Sequence, residues 1–399
     1  MSTKTIRAPE ARFTCEGDGR CCTRWSVPVS AEVVERLRAH DWTGVGAGDP
    51  FLPVAGSGEP FRLRLVDERC FFLDAENRCE IQKRLGHEAK PAACKAFPLQ
   101  LTSIGGQTHA RLSFYCPTVC ADRGKRLSEQ QRWLKTVERS AEVHPRCAPL
   151  RLSPDIEIGL RDQGEVDREL ARRLGETGAS MADRLATCVG LLQVIQSQHS
   201  EGGIAVAMGL KRASAMESGE LARLGREGGE APRAGPVLSL FLASDCLPGP
   251  WAKAGHFFGV RFFGLGLSKL RSRAMGAKAS RGRIAAVTFA PGEEGDALLT
   301  RYFIAKLVGR RHLADQLDLL RGFNLLVVAY GMIVLLARLK AASEGQPGVR
   351  QSDLLAAVQA TELLVLEHTA IHRTSSFSHL LEKILDEPTL CSSMLARAA

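Results

Sequence analysis

No secretory leader is expected: residues 1–12 are polar and charged, and no apolar core of about seven or more residues follows. Without export, thiols stay reduced, so clustered cysteines read better as a metal site than as a disulfide scaffold, and a cytoplasmic protein is expected. No apolar run is long enough to span a bilayer. The stretch 323–337 is interrupted by Asn324 and flanked by Arg321 and Arg338, and it falls short of the roughly 20 residues a span needs. It reads as a buried core helix. No repeat of solenoid period is present. Hydrophobic residues make up 45% and charged residues 24%, which excludes disorder and collagen-like structure.

The cysteines are abundant by contrast and unevenly placed. There are 12, and all but Cys188, Cys246 and Cys391 precede residue 148. A chain of 399 residues can bury a sizeable core in two or three domains and needs no thiols for stability. Their concentration near one end therefore points to metal binding. Thiolate is a soft ligand suited to zinc, copper(I) and iron–sulfur clusters, and such a site draws about four of them from separate segments.

The candidates are Cys15, Cys21, Cys22, Cys70, Cys79, Cys94 and Cys116, with Cys120 as a marginal addition. Their spacing is not the paired C-x2-C of a zinc ribbon. Cys116 and Cys120 begin the C-x3-C-x2-C pattern of radical enzymes, but Arg123 stands at the third position. Adjacent residues of a strand face opposite ways, so Cys21 and Cys22 can share one centre only from a turn, which Gly17 and Gly19 make accessible. Cys147, Cys188, Cys246 and Cys391 read as packing residues. His87 and His109 read as solvated or satisfied imidazoles rather than ligands.

The first 125 residues are rich in turns. Short strands are expected over 61–66 and 109–115, a helix over 31–40 with Ser30 as its N-cap, and a loop over 44–60. From Ser128, where Ser128 to Gln131 spell a capping box, the period becomes helical. Further helices are expected over 166–174, 180–198, 205–224, 237–246, 296–308, 313–342, 352–368 and 376–386. The fold class is thus mainly α: an irregular cysteine-rich metal-binding region with short strands (1–125), a helical region (126–224), a linker (225–236) and a helical C-terminal region (237–399).

The net charge is +9. Much of it lies in 251–290, where Lys253, Arg261, Lys269, Arg271, Arg273, Lys278, Arg281 and Arg283 occur without a carboxylate. No aromatic residues interleave convincingly with them, so a solvated face is expected and nucleic acid is not. Gly264-Leu-Gly266 lacks the third glycine of a nucleotide-binding turn and reads as a loop or helix break.

Phe13-Thr-Cys15, Cys21-Cys22-Thr-Arg-Trp25, Cys70-Phe-Phe-Leu73-Asp74, Cys79-Glu-Ile81, Cys94-Lys-Ala-Phe97-Pro98 and Cys116-Pro117 together resemble a cysteine-cluster family of zinc- or iron-chelating domains. The likeness is closest to its branch of flagellin lysine N-methylases, to which Arg301-Tyr302-Phe303 and Arg321 to Leu326 are also similar. In that branch a further cysteine stands in the interval that here reads Glu16-Gly-Asp-Gly-Arg20. The resemblance implies a zinc site or an iron–sulfur cluster (4Fe–4S), a protein substrate such as flagellin, and S-adenosylmethionine as methyl donor. The alternative is a non-catalytic metal-binding interaction module.

Overall fold

A computed structural model describes residues 5–54, 59–140, 143–145, 149–227, 268–310 and 317–366, together with 385, 394 and 395. The chain divides into two compact units, residues 1–145 and 146–399. The fold is mainly α, with its short strands concentrated in the first unit.

The first unit is threaded by short strands: β1 (Arg12–Phe13), β2 (Pro28–Val29), β3 (Phe51–Pro53), β4 (Phe61–Leu63), β5 (Leu65–Val66), β6 (Arg69–Cys70), β7 (Leu99–Ile104), β8 (Gln107–Leu112), β9 (Lys125–Arg126) and β10 (Val143–Pro145). β7 and β8 form the longest hairpin, with β10 parallel to β7 on its far side. β2, β4 and β3 form a second sheet in that order. Helix α1 (Ala31–Arg38) begins as expected: Ser30 is extended, and its hydroxyl accepts from the Val33 amide. Three short helices follow, α2 (Glu80–Leu85), α3 (Ala92–Ala96) and α4 (Pro117–Cys120), and then α5 (Gln131–Ser140).

A small core joins α1 to the second sheet through Val34, Leu37, Phe51, Leu63, Phe72 and Ile81. Trp42 meets Phe72 edge-on at 4.7 Å and donates its indole N–H to the Leu37 carbonyl at 2.7 Å. The tryptophan thereby buries its ring without leaving a polar atom unsatisfied. Cys70, Cys79 and Cys94 pack against the edge of this core.

Among the described residues the second unit has two short hairpins, β11 (Arg151–Ser153) with β12 (Ile156–Glu157) and β13 (Lys269–Ser272) with β14 (Ala277–Ser280). Its helices are α6 (Leu160–Leu174), α7 (Met181–Gly202), α8 (Val206–Ser214), α9 (Ser218–Arg226), α10 (Arg281–Ala285), α11 (Gly292–Val308), α12 (Leu319–Ser343) and α13 (Gln351–Thr361). Among the described residues α12 is the one helix long and apolar enough to cross a membrane, and 78% of its apolar window is buried inside the protein. Its polar interruption is accommodated there, since Asn324 donates to the Leu385 carbonyl at 2.8 Å. Lys306 of α11 and Glu362 form a fully buried ion pair at 2.7 Å, with the ammonium 5.6 Å from the Tyr302 ring centre.

Several expected boundaries are corrected, two of them by a contact that local pattern does not carry. The helix expected over 205–224 is two, because the Arg173 guanidinium caps the break, donating to the carbonyls of Ser214 and Met216 at 2.9 and 3.2 Å. Ser128 is not an N-cap: Leu127–Gln130 form a 3-10 turn, and the Gln130 amide reaches the Phe13 and Lys125 carbonyls at 3.0 Å. The strand 61–66 breaks at Arg64 into β4 and β5, and 109–115 is strand only to Leu112. The helix expected over 352–368 ends at Thr361 and continues as a π-helical turn, Glu362–Leu366, beginning at the partner of Lys306.

The basic segment contains a hairpin that the helical reading missed. Leu270, Ser272, Ala277 and Ala279 are its buried side, while Lys269, Arg271 and Lys278 are exposed. The expected helix 237–246, most of the linker, Gly264 to Gly266 and nearly all of the helix 376–386 lie outside the described residues.

Helices α7 and α9 cross at two glycines. A Cβ on Gly190 would lie 2.0 Å from the Leu221 carbonyl oxygen, and one on Gly225 2.1 Å from that of Ala186. Gly190→Ala should therefore force the helices apart and lower stability by roughly 1–3 kcal/mol. Gly164→Ala in α6, where nothing lies within 4 Å, should instead raise it by about 0.5–1 kcal/mol. Thermal unfolding of the two variants beside the parent checks both, and equal melting temperatures would refute the close crossing.

Candidate metal centre

Four cysteines from four separate segments line one cavity: Cys22, Cys70, Cys79 and Cys94. Each is delivered by a different local device. Cys22 closes a 3-10 turn, Arg20–Cys22, behind Gly19 at φ 69°, and its amide donates to the Gly19 carbonyl at 2.9 Å. A Cβ on Gly19 would lie 2.1 Å from the Asn77 carbonyl oxygen, so only glycine lets this loop press against the turn beyond β6. The next residues stay attached, as the Arg24 amide donates to the Glu68 carbonyl at 2.6 Å.

Cys70 ends β6, the second arm of a hairpin whose turn residues Asp67 and Glu68 both have positive φ, as a two-residue turn of matching twist requires. Arg69 braces the following turn, donating to Asn77 Oδ1 and to the Asp74 carbonyl, both at 2.8 Å. Asn77 tolerates its left-handed conformation, and the Asp74 carboxylate accepts from the Arg78 amide at 2.7 Å. Cys79 then stands at the N-cap of α2, and Cys94 lies in α3 just after Pro91.

The cavity holds about 30 Å³, room for an ion or one to two waters and far below a small-molecule pocket. Apart from the thiols its wall is apolar, including Trp25, Val27, Phe72 and Ile81, with Lys90 as its one charged residue among those described. Burial pushes the Cys70 thiol up to about 12 and raises those of Cys79 and Cys94, the neighbouring sulfurs adding to each effect. Opposing this, the Phe72 amide faces the Cys70 sulfur, and the Gln82 and Ile81 amides at the start of α2 face that of Cys79. These amides favour thiolate once a cation supplies the charge.

Of the other candidates, the described ones do not line this cavity. Cys15 is exposed, and the side chain of Cys21 lies outside the described residues. Cys116 is buried at the N-cap of α4 and does not line the cavity. Burial pushes its thiol up to about 11, against the pull of the Val119 and Thr118 amides. Cys120 donates to the Phe114 carbonyl at 3.0 Å, and Cys188 is buried. His109 is buried in β8 and His87 exposed in a 3-10 turn, neither on the cavity wall.

Among the described residues no three His, Cys, Asp or Glu side chains are already arranged to hold a single ion. The four thiols share the walls of one space without meeting at a point. A metal would draw them inward to Zn–S bonds of about 2.3 Å, the coupling of binding to local folding usual in thiolate sites. The donor set fits such a group: soft ligands only, amides aimed at sulfur, and an apolar surround.

Comparison with known proteins bears on this same region. Residues 14–121 match the CxxCxxCC family model, described as "Putative zinc- or iron-chelating domain". The match supports a metal cofactor for the cysteine cluster. The chain is 26% identical over 129 residues to a "Lysine-N-methylase" of Salmonella typhimurium, covering 30% of this chain and 32% of that protein. A "Lysine-N-methylase" of Salmonella choleraesuis is 25% identical over 129 residues with the same coverage. The "Flagellar biosynthetic protein FliU" of Salmonella muenchen is 25% identical over 129 residues, 30% of this chain and 76% of that protein. The chain thus spans about a third of the length of the two methylases it matches. No solved structure matches it.

Reading the sequence did not single out Lys90 or Asn77. The cysteine pattern holds no signal for Lys90. Asn77, between Glu76 and Arg78, offers only the general tolerance of asparagine for a left-handed turn position, and its contact with the Gly19 loop has no local signature.

Two outcomes follow from this geometry. Gly19→Ala should lose roughly 1–3 kcal/mol and weaken metal retention, because positive φ and the Asn77 carbonyl both oppose a Cβ. Metal content after dialysis against a mild chelator checks this, and full retention would show that the loop can shift freely. Zinc added to metal-free protein at pH 7 should release a proton from each of Cys70, Cys79 and Cys94. Their raised pKa values keep them protonated there, and a Zn–S bond needs thiolate. A pH indicator in weak buffer reads the release, and uptake without it would exclude these sulfurs as ligands.

Proposed function

We propose that residues 14–121 hold a metal, zinc or an iron–sulfur cluster, through the sulfurs of Cys22, Cys70, Cys79 and Cys94. The observation that carries this reading is the convergence of four thiols from four separated segments on one small, otherwise apolar cavity. The unit has a modest core and short elements, so a metal would contribute to its folding stability. A cavity of about 30 Å³ leaves no space for a nucleoside or a peptide beside the metal, which favours a structural role for the centre.

For the chain as a whole we infer protein lysine N-methylation in the cytoplasm, with flagellin or a similar protein as substrate and S-adenosylmethionine as donor. The printed names of the Salmonella relatives support this reading. The reaction breaks the sulfonium S–CH3 bond and forms a C–N bond to the lysine Nζ, whose proton must first pass to a base because its ordinary pKa is near 10.4. The second reading is a metal-stapled interaction module without catalysis, favoured by the small size of the thiol cavity.

Anaerobically purified protein should contain either about one zinc per chain or iron with acid-labile sulfide and a brown absorbance. Ser substitutions at Cys22, Cys70, Cys79 or Cys94 should abolish this content, whereas Cys15→Ser and Cys116→Ser should keep it. Protein without metal or sulfide would sink the chelation reading. Incubation with flagellin and S-adenosylmethionine should add methyl groups to lysine by mass spectrometry. Metal-loaded protein that methylates nothing in this assay would leave the interaction module as the function.

A further inference from the structure

Among the described residues the cavity wall carries one charge. Lys90 is half-buried there, with no carboxylate or imidazole on the same wall. Its position is set at both ends. The backbone amide donates to the His87 carbonyl at 3.1 Å, closing the short 3-10 turn before it. The ammonium donates to Gln82 Oε1 at 2.6 Å. Gln82 is also the residue whose backbone amide faces the Cys79 sulfur, so one residue of α2 holds a thiol by its main chain and the ammonium by its side chain. Pro91, directly after Lys90, opens the helix that carries Cys94.

Four thiolates around a divalent zinc leave two negative charges in excess, and four thiolates on an iron–sulfur cluster likewise leave an anionic centre. An apolar wall solvates such an excess poorly. The Lys90 ammonium, held beside the cavity by its exposed hydrogen bond to Gln82, offsets part of it, and partners that support the ligands of a metal typically set its affinity by about 10–100-fold. We propose that Lys90 is the counter-charge of the thiolate centre, an affinity-setting residue held in place by Gln82. This rests on the chelation reading above and adds to it the residue that balances the charge.

The test compares full-length parent, Lys90→Met, Lys90→Arg and Cys94→Ser by cobalt(II) titration, followed by zinc competition against a chelator of known affinity. Lys90→Met keeps an unbranched side chain of nearly the same length and removes the ammonium, and with it the charge and the hydrogen bond to Gln82. It should bind roughly 10–100-fold more weakly, with an unchanged tetrahedral thiolate absorption band, because the sulfurs themselves remain. Lys90→Arg, which keeps the charge, should recover most of the affinity. If the native protein carries an iron–sulfur cluster, Lys90→Met should also shift its reduction potential to more negative values, since the reduced cluster gains a charge that Lys90 no longer offsets. Equal affinities of parent and Lys90→Met, with Cys94→Ser binding none, would overturn the role of Lys90 and leave the centre intact. A parent that binds neither metal would instead remove the chelation reading itself.

Discussion

Packing of the Gly19 backbone against the Asn77 carbonyl is the contact on which the sulfur cluster depends. Without a Cβ at residue 19, the loop that ends in Cys22 can lie directly on the turn between Cys70 and Cys79. Arg69 fastens that turn from below through Asn77 and Asp74, and the Asp67–Glu68 hairpin turn sets where β6 ends. The thiols thus face one space because three backbone conformations, each with positive φ, agree with one another. A small aromatic core around Trp42 and Phe72 supports the arrangement from one side.

Burial has opposite consequences for the metal-free and metal-bound protein. An apolar surround raises the thiol pKa values, so without a cation the sulfurs are neutral and pack as small apolar groups. The same surround strengthens the attraction between thiolate and cation once one is present, and the amides of Phe72, Ile81 and Gln82 already point at the sulfurs that would carry the charge. Lys90 belongs to this electrostatic frame. The second unit is organised differently, around the apolar helix α12 and close helix crossings, and among its described residues Lys306 and Glu362 form a fully buried ion pair.

Much of the architecture was legible because it rests on local rules. Ser30 before an amphipathic stretch is an N-cap, and the capped helix α1 follows from it. The apolar run around 323–337 belongs to a buried helix, as expected, although that helix extends over Leu319–Ser343 and is longer than the run itself. Two of the errors share one cause, which is that distant groups outcompeted local preference. Arg173 stops a helix 41 residues away by capping the Ser214 carbonyl, and Gln130 draws the chain off the helical path at Ser128 to satisfy the carbonyl of Phe13. Neither partner can be read from periodicity. The hairpin in the basic segment escaped because its buried side is built of small residues, Ala277 and Ala279, which give little signal of alternation.

For the cysteines the division is sharper. Amino-acid sequence alone determined that thiols are concentrated in the first part of the chain, that their spacing is not that of a zinc ribbon, and that Gly17 and Gly19 permit a turn before Cys22, since these depend only on residue identity and order. Which sulfurs face each other was decided by tertiary structure: Cys22, Cys70, Cys79 and Cys94 share a cavity, while Cys15 is exposed and Cys116 is buried away from its wall. The reason is that convergence in space depends on the turns between segments and on which backbones can approach, and a spacing of residues along the chain does not encode those distances.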